Sequence, residues 1–162
     1  ERNQRTCIVT TPVFTSAVTY RDPKAALAWL EAAFGFEVTM AIEGPPDQPE
    51  MCHYEMSSAG RGRVMVGAQW SDLVRSPEAV GGANTQSIHV HLTDDVDAHC
   101  ERARAAGARI IGEPSDQFYG DRVYQALDLE GHRWSFAQTV REVSLEEAEA
   151  ALGQPISATE WP

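Results

Sequence analysis

VFTSAVTYRDPKAALAWLEAAFG, residues 13–35, decides the fold, because its pattern returns as SIHVHLTDDVDAHCERARAAG at residues 87–107. Val13–Tyr20 alternates β-branched and aromatic residues and predicts a strand. Asp22-Pro23 opens a helix: the carboxylate caps orphan amides, and proline fits a first helical position that needs no N–H. Leu27, Leu30 and Phe34 recur at helical spacing, and Gly35 supplies the left-handed stop. In the second copy Ser87–Leu92 is the strand, Asp94 or Asp95 the cap, Val96, Cys100 and Ala103 the buried stripe, and Gly107 the stop. Asp22 and Gly35 map onto Asp94 and Gly107 with one offset of 72 residues.

Both copies continue alike. Phe36–Ile42 reads as a strand broken by Gly44-Pro45-Pro46, and Met51–Ser57 with Arg63–Gln69 as a hairpin around Gly60-Arg61-Gly62. After Gly107 come a short strand at Arg109–Ile111 and a hairpin of Arg122–Leu127 and Arg133–Gln138 around Glu130-Gly131-His132. Arg63-Val64-Met65-Val66 maps onto Arg133-Trp134-Ser135-Phe136 with an offset of 70. The order is β-α-β-β-β twice, an α+β chain of duplicated modules rather than a solenoid. Module one covers residues 11–70, the linker 71–86 and module two 87–140, together one domain over 11–140. Residues 141–162 are a C-terminal helix and tail, with Ser144-Leu145-Glu146-Glu147 as a capping box and Gly153 as the stop.

At 162 residues, 43% hydrophobic and 23% charged, the chain suits one globular domain with a real core. No apolar run is long enough to span a membrane, and no signal-peptide pattern is present. Glu1 in place of Met points to a natural start outside this sequence. Three cysteines, Cys7, Cys52 and Cys100, are an odd number at unrelated spacings, which argues against disulfides and zinc and for a reducing cytoplasm. Thirteen basic against 24 acidic residues give a net charge of −11, which repels nucleic acid and anionic membrane. Phosphate-binding glycine loops, G-x-S-x-G and H-E-x-x-H are missing, so nucleotide, serine-hydrolase and zinc-protease chemistry find no support.

Asp116-Gln117-Phe118-Tyr119-Gly120-Asp121-Arg122, followed by Asp128-Leu129-Glu130-Gly131-His132-Arg133-Trp134, resembles the glyoxalase/bleomycin-resistance/dioxygenase (vicinal-oxygen-chelate) superfamily, and within it a PhnB-like branch. Asp94-Asp95-Val96-Asp97-Ala98 and Ala105-Ala106-Gly107-Ala108 fit the same branch, so the resemblance covers roughly Val13 to Gln138. It implies two tandem βαβββ modules forming a curled mixed sheet around one pocket, and metal ligands on the first and fourth strands of each module. Carried over, those positions are Thr15 and Met65 in the first copy, Ser87 and Ser135 in the second. Hydroxyls and a thioether do not hold a hydrated divalent ion, which wants imidazole or carboxylate. No cofactor is expected on this reading, and a divalent metal would need another site.

His89 and His91 sit at i and i+2 and project from one face of their strand, opposite Ile88, Val90 and Leu92. They are a relocated metal site or acid/base pair, with His53 as a third partner, or else polar lining without chemistry. His132 and Trp134 read as structural. Arg122 is either a loop-to-strand brace or a rim guanidinium for an anionic group, with Phe118, Tyr119, Tyr124 and Trp70 as flat walls. Small residues at Ala17, Gly67, Ser87 and Ser135 leave room for a ligand. The expectation is metal-free binding, by a homodimer, of an apolar, planar small molecule that carries an acceptor or negative group. The alternative is a metal-dependent lyase or dioxygenase using His89, His91 and His53. A regulatory domain with a vestigial pocket is the third reading.

Overall fold

A computed structural model of the chain describes residue 12 and residues 14–161; Cys7 and Val13 lie outside the described residues. Strand β1, Ser16–Tyr20, turns Val18 and Tyr20 inward. Helix α1, Pro23–Phe34, starts where the Asp22 carboxylate accepts the Ala25 amide, and it stops at left-handed Gly35. Strands β2 (Phe36–Ile42), β3 (His53–Ser58) and β4 (Arg61–Ala68) complete the first module. The second module runs β5 (Ser87–His91), α2 (Val96–Ala105), β6 (Arg109–Asp116), β7 (Asp121–Leu127) and β8 (Arg133–Thr139). Helix α3, Leu145–Leu152, follows behind a complete capping box on Ser144 and Glu147.

Each module is a four-stranded mixed sheet, ordered β1-β4-β3-β2 and β5-β8-β7-β6. The first strand pairs parallel with the fourth: Ala17 faces Met65, and His89 faces Ser135. The sequence offsets of 72 and 70 therefore hold in the paired strands. Several boundaries differ from the sequence reading. Of the two aspartates the sequence offers, Asp95 caps α2, accepting the amides of Asp97 and Ala98. The first hairpin turns on Ala59-Gly60, both left-handed, the backbone a two-residue hairpin turn requires. Pro49–Met51 makes a 3-10 turn, so β3 begins at His53. β6 runs on through Gly112 and Pro114, because it is an edge strand with register irregularities, where proline costs no ladder bond.

The expected α+β arrangement of tandem βαβββ modules forms, with one four-stranded mixed sheet per module. The two sheets stay separate and are not closed; the modules share a core instead. Helices α1 and α2 lie against each other, and small buried residues, Ala26, Ala33, Cys100 and Ala103, let them approach. Phe34 and Phe36 of module one meet Trp134 and Phe136 of module two, with Phe34 and Phe136 centroids 4.7 Å apart. His99 sits in this core: its Nε2–H donates to the Phe34 carbonyl (3.0 Å), and Nδ1 accepts the Tyr124 hydroxyl (2.7 Å). Burial holds its imidazole below the usual range, in the neutral form this bonding needs.

The end of β1 is tied to the β7–β8 turn by one carboxylate. Asp128 Oδ2 accepts the Tyr20 hydroxyl (2.6 Å) and the Trp134 indole N–H (3.0 Å). Its Oδ1 accepts the amides of Glu130 (3.0 Å) and His132 (2.9 Å). Around this hub His132 Nε2–H donates to the Thr19 carbonyl (2.8 Å), and Glu130 accepts the Arg21 amide (2.9 Å). Burial, aided by Asp128, raises the Tyr20 hydroxyl well above its ordinary pKa, and burial pushes His132 down. Asp128→Ala strands four donors in a buried junction, at about 1–3 kcal/mol for each group left unpaired. We expect urea unfolding to show a loss of about 3 kcal/mol or more for it, against about 1 kcal/mol for Tyr20→Phe. Equal costs would show that Asp128 is not the hub.

Candidate functional site

The alternation of β5 sends Ile88 and Val90 toward the core and leaves His89 and His91 on the open face. That strand and the β3–β4 hairpin enclose a cavity of about 280 Å³. Its polar lining is Ser57, Ser58, Arg61, Arg63, His89 and His91; its apolar lining is Phe36, Met56, Val64, Ile88, Val90 and Trp134. His89 Nδ1 lies 2.7 Å from the Ser135 hydroxyl on the neighbouring strand, so one ring nitrogen is committed and Nε2 is not. The Thr139 hydroxyl donates to Asp121 (2.8 Å), which leaves its oxygen to accept from His91 Nε2–H (3.1 Å). Both rings are thus held in place by strand β8. The arrangement offers imidazole and guanidinium donors beside an apolar wall.

The other residues singled out in the sequence are scattered. Thr15 lies just before β1 and Met65 in β4 of the first sheet, Ser87 and Ser135 lie in the second, and the sheets do not close on one another. His53 pairs with Glu55 (3.3 Å), which also takes Arg63 Nε (3.2 Å), and it does not line the His89–His91 cavity. Among the described residues no three His, Cys, Asp or Glu side chains converge on a metal position. Trp70 stands exposed beyond β4. Tyr124 is wholly buried with its hydroxyl on His99, so it is a core residue and not a cavity wall. Its strand turns Tyr124 and Ala126 to the core together, as the alternation requires.

Arg122 is a brace and not a free rim donor. Its fork takes both oxygens of Asp97 (2.9 and 3.2 Å from Nε) and Asp116 (2.9 Å from Nη1), joining β6, β7 and the first turn of α2. These carboxylates raise its pKa further. Phe118 and Tyr119 stack edge-on in the preceding turn (5.1 Å), and neither lines the His89–His91 cavity. Gly120 closes the turn with φ +103°, where a side chain would run into the Arg141 carbonyl. The sequence reading missed Ser57, Ser58, Arg61 and Arg63. The signal was Arg61-Gly62-Arg63 itself, two cations on one hairpin of an acidic chain, hidden by reading its glycines only as a turn.

A family model described as the Glyoxalase/Bleomycin resistance protein/Dioxygenase superfamily matches residues 13–136. Uncharacterized proteins of Mycobacterium bovis and Mycobacterium tuberculosis are 42% identical over 78 residues, 48% of this chain and 49% and 44% of theirs. The chain spans about half the length of the curated relatives it matches. Among solved structures, TioX from Micromonospora sp. ML1 is 31% identical with a TM-score of 0.61, over 80% of this chain and 99% of that one. TnmS3, an antibiotic binding protein from Streptomyces sp. CB03234, is 18% identical with a TM-score of 0.62, over 82% and 98%.

The Arg122 brace is testable. Arg122→Ala should lower the melting temperature and speed amide exchange at Val140 and Arg141, both held on the Gly120 carbonyl. Arg122→Lys should recover only part of this, since an ammonium cannot span two carboxylates as a fork does. Full recovery by lysine would show that charge alone, not the fork, holds the turn.

Proposed function

The chain belongs to the glyoxalase/bleomycin resistance protein/dioxygenase superfamily, and from that premise we propose that it is a metal-free small-molecule-binding protein, of a sequestering or resistance-like kind. The observation that carries this reading is His89 on Ser135. Ser135 stands where metal-using members would place a ligand, and its hydroxyl engages the nearby imidazole instead. Thr15, Met65 and Ser87 at the three companion positions offer no donor set for a divalent ion. The residues do not fit a metal there, and no catalytic step is routed through one. The rearranged set of His89, His91 and His53 is spread over two sheets, with His53 committed to Glu55. TnmS3, similar in fold, supports the binding reading by its antibiotic-binding role. We further propose that the chain is of the PhnB-like branch, a reading supported by the resemblance at Asp116–Arg122. Cys52 and Cys100, both free, suit a reducing cytoplasm.

Protein purified without chelators should carry far less than one equivalent of Zn, Ni, Mn or Fe. In a thermal-shift panel of amphipathic antibiotics and divalent metals, an antibiotic and no metal should raise the melting temperature. A ligand at a hundred times its Kd adds about 2.7 kcal/mol, an easily read shift. Near-stoichiometric metal, lost on His89→Ala, would falsify the metal-free reading.

We also propose that the chain pairs with itself. Edge strand β2 leaves Val38, Met40 and Ile42 about half exposed, and Met51 lies just before the neighbouring β3. Such a contiguous apolar edge is costly in water and invites a partner. Ala148 of α3 is already buried within the chain, so β2 rather than α3 is the better candidate for the contact. Sedimentation velocity at micromolar concentration should give a dimer; a monomer there overturns the pairing.

A further inference from the structure

The internal repeat creates two comparable junctions between the modules, and it fills only one of them. Where β1 ends, the β7–β8 turn inserts Asp128, Glu130, His132 and Trp134, and their side chains seal the contact. Where β5 ends, the facing turn is that of β3–β4, residues 58–62. The hairpin offset of 70 aligns those four residues with Ser58, Gly60, Gly62 and Val64. The strand offset of 72 aligns Tyr20, the donor to Asp128, with Leu92. Two carboxylates, an imidazole and an indole are thus replaced by a hydroxyl, two hydrogens and an isopropyl group. The cavity of about 280 Å³ lies at this second junction.

The lining says what would fit there. The chain has 24 acidic residues, yet none lines this cavity. Arg61 has no carboxylate partner among the described residues, whereas Arg63 is already paired with Glu55. Ser57 on the wall is only 8% exposed, and its hydroxyl has no hydrogen-bond partner among the described residues. Its neighbour Ser58 is half-buried and presents a second hydroxyl to the cavity. Opposite these donors, half-buried Ile88 and Val90 of β5 give apolar surface, while Phe36 and Trp134 are buried in the core.

We propose that this cavity binds a small aromatic carboxylate, its ring against Ile88 and Val90 and its carboxylate on Arg61 and the Ser58 hydroxyl. The ligand supplies at this junction what the chain's own carboxylates and indole supply at the other. This rests on the small-molecule-binding reading above and adds to it the ligand's charge, size and orientation. Guanidinium and hydroxyl donors recognise the carboxylate, and the cavity volume of about 280 Å³ holds a one- or two-ring body.

Isothermal titration of the intact chain with indole-3-carboxylate and with the neutral indole-3-carboxamide tests this. Indole-3-carboxylate should bind at one per chain, and the carboxamide at least about tenfold more weakly. Arg61→Gln should weaken the carboxylate about tenfold or more and leave the carboxamide unchanged. Ser58→Asp, which restores the acid found in the filled junction, should abolish carboxylate binding while the melting temperature holds. Equal affinity for both probes overturns the inference, and that comparison needs no variant. So does carboxylate binding that ignores Arg61→Gln and Ser58→Asp, or no binding of either probe at millimolar concentration. In each of those cases the antibiotic thermal-shift panel still decides the broader binding reading on its own.

Discussion

The structure depends on one buried carboxylate. Asp128 takes four hydrogen bonds from the phenol of one module and from the indole and two amides of the other. Two sheets that do not pair need some directional contact to fix how they sit, because hydrophobic burial is non-directional. The aromatic cluster of Phe34, Phe36, Trp134 and Phe136 supplies the apolar contact. Asp128 selects its geometry, since any other docking would leave its oxygens or their donors unpaired in a dry place. With that junction fixed, β5 and the β3–β4 hairpin are placed as well, and the cavity between them follows.

Duplication explains both the stability and the opening. Two copies of βαβββ bring two equivalent junctions, and packing near crystal density would close both. The copies have diverged in the five-residue segments 58–62 and 128–132. One became Ser-Ala-Gly-Arg-Gly and turns tightly; the other became Asp-Leu-Glu-Gly-His and reaches across to β1. The tight hairpin withdraws side-chain volume from the junction beside His89 and His91. Stability is concentrated on one side of the internal repeat, and binding space on the other.

Much of this was legible in the sequence. Offsets of 72 and 70 survive as strand register, because a slip of one residue would turn the inward Val18 and Tyr20 outward. The caps at Asp22 and Ser144 are local chemistry and read directly. Partners distant in the chain were not legible. For Arg122 the brace and the rim donor both stayed open, because its partner Asp97 stands 25 positions away on another element. Tyr124 looked like a wall because nothing in β7 alone says which face meets the core. How the two sheets sit against each other was not legible for the same reason: periodicity fixes the faces of each sheet but not their mutual placement. Among the described residues, the cavity took its cations from Arg61 and Arg63, which spacing presented as part of a turn.

The chain's charge bears on what such a cavity can hold. A net charge of −11 repels anions at long range, but screening confines that repulsion to about 8–10 Å at physiological salt. Within the cavity the nearest charged group is a guanidinium, at contact distance and beside an apolar wall where the effective dielectric is lower. Local attraction therefore outweighs the global field once a ligand has entered, while approach is slowed. Selection then falls on ligands whose apolar body holds them long enough for the ionic contact to form. A small inorganic anion lacks such a body, and a neutral aromatic lacks the ionic contact. The proposed ligand at the second junction is one that carries both.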